Sequence, residues 1–141
     1  MKSIYLSPKF SYLLTLLFVS LVALTSCSKK IQFEKSNIVP AARGDVTVKK
    51  DKNNNYNINL EIYYLAEPDR LQPPKKYYIV WLSSNDNQIP LNIGQIVGTS
   101  KLHVKFESVS SSKPKRIFVT AEDDETTQYP SRYIVLETDK F

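Results

Sequence analysis

One sulfur, one imidazole and one run of four carboxylates carry most of the chemistry this sequence offers. Cys27 is the only cysteine and His103 the only histidine. A zinc site needs several nitrogen or sulfur ligands, and nucleophilic catalysis by cysteine needs a base beside the thiol, so neither has its parts. His103 falls between Lys101 and Lys105 on the polar side of an alternating stretch, where an imidazole is solvated and a poor metal ligand. Glu122-Asp123-Asp124-Glu125 offers oxygen ligands of the kind calcium takes. The glycine and terminal glutamate of a calcium loop are missing, so the run reads as a solvated turn at a strand end. Serines are numerous, but none stands in a Gly-x-Ser-x-Gly setting. The expectation is a protein that is not an enzyme and takes no cofactor or metal.

The surroundings of Cys27 give that sulfur its meaning. Lys2 and Lys9 precede an apolar run from Leu13 to Leu24 that only Thr15 and Ser20 interrupt, and small polar residues then lead to the cysteine. This is the layout of a signal peptide. A membrane span needs about 20 apolar residues, which this run does not supply before it turns polar. Leu24-Thr25-Ser26-Cys27 resembles the lipobox of bacterial lipoproteins. That resemblance implies cleavage before Cys27, a diacylglycerol on its thiol and a further acyl chain on the freed amine. It also accounts for a lone thiol in an exported chain, which has no second cysteine to form a disulfide. Ser28 after the cysteine resembles an outer-membrane sorting signal, with the domain facing the periplasm. Lys29 and Lys30 are placed to meet anionic headgroups.

Residues 27–141 number 115, which is the size of one domain. They carry 17 basic against 14 acidic residues, and the basic ones are scattered as pairs, so nucleic acid is not an expected partner. No sustained period appears from Ser28 to Arg43, and residues 27–43 read as the modified cysteine plus a flexible tether of roughly 20 Å. Beyond it lie short runs rich in Val, Ile, Tyr, Phe and Thr. Gly44 to Lys50 and Tyr56 to Leu65 alternate, the second with Tyr56, Ile58, Leu60, Ile62 and Tyr64 on one face. Tyr77 to Leu82 is apolar on both faces and reads as a central strand with Trp81 as core anchor. Ile89 to Val97, broken by Pro90 and Gly94, reads as an irregular edge strand. The stretch around Leu102, Val104 and Phe106, then Arg116 to Glu122 and Arg132 to Thr138, complete seven strands. The expected fold is all-β, a seven-stranded immunoglobulin-like β-sandwich over residues 44–141.

Tyr77-Tyr78-Ile79-Val80-Trp81-Leu82, Asn92-Ile93-Gly94-Gln95-Ile96, Arg116-Ile117-Phe118-Val119-Thr120-Ala121-Glu122 and the stretch from Pro130 to Leu136 follow one another in an order similar to the extracytoplasmic domain of anti-sigma-K factors. In that family sigma binding belongs to a separate cytoplasmic domain, of which no counterpart is read here. The resemblance implies a detached envelope-side sensing or binding module. The expected function is therefore a lipid-anchored lipoprotein with a protein partner in the envelope. The alternative is an accessory lipoprotein that captures a glycan or peptide through exposed loop tyrosines. The candidate binding residues are Tyr63, Arg70, Tyr129 and Arg132, with Cys27 as the lipidation site. The remaining tyrosines of the stripe Tyr56, Tyr63, Tyr64, Tyr77 and Tyr78 suit cross-strand and core pairs.

Overall fold

The computed structural model describes residues 29–85, 88–97 and 102–141. The segment expected to be a signal peptide, Cys27 and Lys101 lie outside the described residues. Eight strands follow in order: β1 (Lys29–Gln32), β2 (Arg43–Lys50), β3 (Tyr56–Tyr63), β4 (Tyr77–Ser83), β5 (Leu91–Ile96), β6 (His103–Ser110), β7 (Arg116–Glu122) and β8 (Ile134–Glu137). They form two four-stranded antiparallel sheets, ordered β1-β2-β3-β6 and β5-β4-β7-β8. The protein is all-β, with one turn of 3-10 helix at Pro68–Arg70 among the described residues.

Period-2 alternation makes the sandwich, because each strand can turn only every second side chain toward the opposite sheet. Val46, Ile58, Leu60, Ile62 and Val104 of the first sheet meet Tyr78, Val80, Leu82, Ile117 and Val119 of the second in one buried cluster. Burying a side chain of this size contributes on the order of 1.5–3 kcal/mol. Register between β2 and β3 is set by their turn. Asp51 Oδ1 accepts from the backbone amides of Asn53 and Asn55 at 2.7 and 2.9 Å, and Asn54 adopts φ 66°. Short polar side chains tolerate such positions.

The eighth strand corrects the expected tether. Lys29–Gln32 pairs with β2 from Lys29 opposite Val48 to Gln32 opposite Asp45. Ile31 turns its side chain inward, and Val39 and Ala42 are buried. The segment then crosses to the other sheet, where Glu34 donates its amide to the carbonyl of Glu137 at 2.8 Å. Ser36 Oγ accepts the amide of Val39 at 2.9 Å. A flexible coil would leave these amides to water.

Two further expectations change. Strand β3 ends at Tyr63, because Tyr64 takes φ 56° and its ring turns out to solvent rather than inward. Trp81 is fully buried as expected, but with Ile79 and Phe118 in a second cluster on the far side of β4 and β7, not between the sheets. The chain from Asp123 to Arg132 folds back over that side. Asn92 Nδ2 donates to the Thr127 carbonyl at 3.1 Å, and Ser131 donates its amide to Glu122 Oε1 at 2.9 Å.

Candidate binding face

The outer face of the first sheet carries the polar half of each alternating strand. Its pairing sets Arg43, Tyr63 and His103 side by side in one cross-strand row, with Asp45, Glu61 and Lys105 two residues along. The rings of Tyr63 and His103 stack with centroids 4.4 Å apart and planes 2° from parallel. The Arg43 guanidinium sits 4.8 Å from the centre of the Tyr64 ring. Tyr64 donates its amide to the Leu102 carbonyl at 2.9 Å, which brings the exposed Leu102 side chain to the same rim.

This row has one enclosed feature. His103 Nε2 is buried and meets no hydrogen-bond partner among the described residues. Beside it, Gln32, Phe33, Arg43, Gly44, Asp45 and Tyr63 line a cleft of about 290 Å³. Gly44 is required where β2 passes β3: a Cβ there would lie 2.2 Å from the Glu61 carbonyl oxygen. In the next row Lys105 Nζ and Glu61 Oε1 pair at 3.1 Å, as do Lys30 and Asp45 at 3.1 Å. The hydrogen bond and charge of Lys105 hold the Glu61 carboxyl below its usual range, and Glu61 raises Lys105 in return. These pairs neutralise the middle of the face and leave the aromatic rim at its end.

The four candidate binding residues do not meet. Tyr63 belongs to the rim just described. Arg70 is exposed on the 3-10 turn and pairs with Glu67 at 3.0 Å. Tyr129 and Arg132 share the loop over the second sheet, on the opposite side of the sandwich from Tyr63, and both are exposed. The loop of residues 66–76 contains no tyrosine, so of the two loops considered only that of residues 123–132 presents one. Sequence reading missed Arg43, Tyr64, Leu102 and His103 as neighbours of Tyr63. The alternation had already put His103 on the polar face; what it lacked was the pairing of β3 with β6, which supplies the stacking partner. The histidine expected to be solvated is instead half covered by a tyrosine ring.

The acidic run divides its tasks. Glu122 is buried, where it accepts from Thr120 Oγ1 at 2.5 Å, and Thr120 in turn accepts the indole N–H of Trp81 at 2.7 Å. Asp123 pairs with Lys75 at 2.7 Å, and Asp124 accepts both the amide and hydroxyl of Thr126 at 2.8 Å. Those two bonds hold the Asp124 carboxyl below its ordinary value. The carboxylates thus fasten the loop that covers Trp81.

No family model, curated protein or solved structure matches this chain.

Proposed function

We propose that this protein is a lipid-anchored lipoprotein of the bacterial cell envelope, held through Cys27, whose sandwich is a non-enzymatic module that binds an envelope protein. The observation that carries the binding part is the exposed rim of Arg43, Tyr63, Tyr64, Leu102 and His103. Tyrosine and arginine are the residues that most often dominate protein interfaces, since each joins a large contact area to a directed polar group. Here the Tyr63 ring is already held by His103 and the Tyr64 ring by Arg43, which reduces the side-chain entropy lost on binding. Leu24-Thr25-Ser26-Cys27 supports the anchor, and Ser28 supports sorting to the outer membrane with the domain in the periplasm.

The strand order supports an immunoglobulin-like kinship. If β2 to β8 are lettered A to G, the sheets read A-B-E and D-C-F-G. This is the immunoglobulin constant arrangement with its fourth strand moved to the opposite sheet. β1 is then an addition at the edge. The envelope-side module of anti-sigma-K factors is the family reading consistent with this kinship.

In-cell photocrosslinking tests the binding face. A benzophenone side chain at Tyr63 or Tyr64 is expected to trap one protein of defined mass, whereas the same probe at Asn59 on the same sheet is not. Trapping that is equal at all three sites, or absent from all, contradicts the assignment. Capture of a glycan or peptide is a second reading, favoured by two exposed tyrosines beside one cleft. It requires ring-proton shifts of Tyr63 and His103 on titration with soluble glycan or peptide fragments.

A further inference from the structure

The described chain begins at one end of the sandwich, and that end has a composition of its own. Lys29 pairs with Val48, and Val48 lines a cleft of about 190 Å³ with Tyr56, Lys113, Pro114 and Phe141. The same end holds the turn between β2 and β3. Lys49, Lys50, Lys52 and Lys113 are all exposed there. None of the four forms an ion pair with an acid among the described residues. Ion pairs among the described residues instead use Lys30, Arg70, Lys75, Lys105 and Arg116. Asp51, the acid nearest them in sequence, has its carboxylate occupied by the turn it closes. Lys50 Nζ lies 5.9 Å from the centre of the ring of Tyr56, which itself lines the cleft.

Covalent geometry links this end to the anchor. Lys29 follows Cys27 by two positions, with Ser28 alone between them, and an extended chain covers at most about 3.3–3.6 Å per residue. The modified sulfur's residue is therefore within about 7 Å of the strand that starts beside Val48. On the lipoprotein reading, a tether this short keeps that end of the domain close to the bilayer. The end that meets the leaflet is the one bearing Lys49, Lys50, Lys52 and Lys113.

We propose that this basal end is a membrane-docking face: Lys49, Lys50, Lys52 and Lys113 seat on the anionic phospholipid headgroups of the leaflet that holds the anchor, with the cleft of Val48, Tyr56, Pro114 and Phe141 against the acyl boundary. The proposal rests on the lipoprotein reading. It fixes orientation: the short anchor places the domain at the surface, and the lysines hold it upright. The rim of Tyr63, at the other end of β3, then points away from the membrane toward a partner. Lysines close to an anionic surface each strengthen attachment by about fivefold, and the effect fades with salt.

The test uses the full mature lipoprotein in vesicles. Because the native sulfur is acylated, Asn53→Cys supplies a single thiol at the tip of the turn for an environment-sensitive fluorophore. In vesicles containing phosphatidylglycerol with spin-labelled headgroups, the fluorophore is expected to be strongly quenched. In pure phosphatidylcholine, or in phosphatidylglycerol at 0.5 M salt, quenching should fall at least threefold. Replacing all four lysines by glutamate should have the same effect at low salt. Equal quenching in the two lipids, unchanged by salt, overturns the docking face while leaving the anchor intact. Failure of the mature protein to remain with vesicles of either lipid overturns the anchor reading instead, and the docking proposal with it. The salt arm needs no substitution in the lysine patch, so it decides the matter even where the fourfold variant does not fold.

Discussion

Tyr63 and His103 stand opposite one another on adjacent strands, rings 4.4 Å apart and almost parallel, on the wet side of the first sheet. A pair so placed adds little to the core and covers one imidazole nitrogen from water. Stacked pairs of this kind contribute about 0.5–1.5 kcal/mol beyond area. His103→Ala should therefore cost no more than about 1.5 kcal/mol in urea denaturation while reducing crosslinking from Tyr64 at least fivefold. A loss of stability above 3 kcal/mol would mark the histidine as a folding element instead.

The segment from Lys29 to Ala42 is part of the fold and should behave so in hydrogen exchange. The amides of Phe33 and Glu34 donate to Gly44 and Glu137 carbonyls at 3.0 and 2.8 Å, and so should exchange at least a hundredfold more slowly than free peptide. Ile31→Ala removes one of the few inward side chains of this segment and should cost about 2–4 kcal/mol. Random-coil exchange rates at both amides would restore a flexible tether.

Thr120 links the only tryptophan to the only buried member of the acidic run. Thr120→Val keeps the shape but leaves the indole N–H of Trp81 and the Glu122 carboxylate without their shared partner. The expected cost is about 2–4 kcal/mol, since a buried group left unpaired loses its solvation outright. Denaturation followed by Trp81 fluorescence measures it. A stability within 0.5 kcal/mol of the native protein would show that water replaces the hydroxyl, on the order of magnitude expected for a bridged contact.

Glu61 and Lys105 give the face its pH dependence. The Glu61 carboxyl, held below its ordinary value near 4.5 by the Lys105 hydrogen bond, keeps that bond at neutral pH and loses it only as pH falls through its own lowered titration. Lys105, raised above 10.5 by Glu61, holds its proton into more alkaline solution than a free lysine does. The pair should therefore be intact from pH 5 to pH 10. Carboxyl-detected NMR should place the Glu61 midpoint below that of an exposed glutamate, and Lys105→Ala should return it upward. An unmoved midpoint in the variant would contradict the pairing.

Much of the sandwich was legible from alternation alone. Ile58, Leu60 and Ile62 announce β3, and the two-sided apolar run from Tyr77 to Leu82 announces a central strand, which β4 is. β1 was illegible because four residues, Lys-Lys-Ile-Gln, turn a single hydrophobic side chain inward, too little for any period to register. Tyr64 was misassigned because alternation continues in sequence while the backbone turns at φ 56°. The site was harder still. Tyr63 was identified, but its row depends on pairing β3 with β6, and the intervening residues build two strands of the other sheet. Glu122 looked like one more solvated acid because nothing local reveals that Trp81 and Thr120 bury it.

Intact mass of the protein purified from membranes tests the anchored reading at its root. It should equal residues 27–141 plus a diacylglycerol and one further acyl chain, and Cys27→Ala should abolish both the modification and the cleavage. A chain that keeps residues 1–26, or one that starts elsewhere with an unmodified Cys27 thiol, would contradict it.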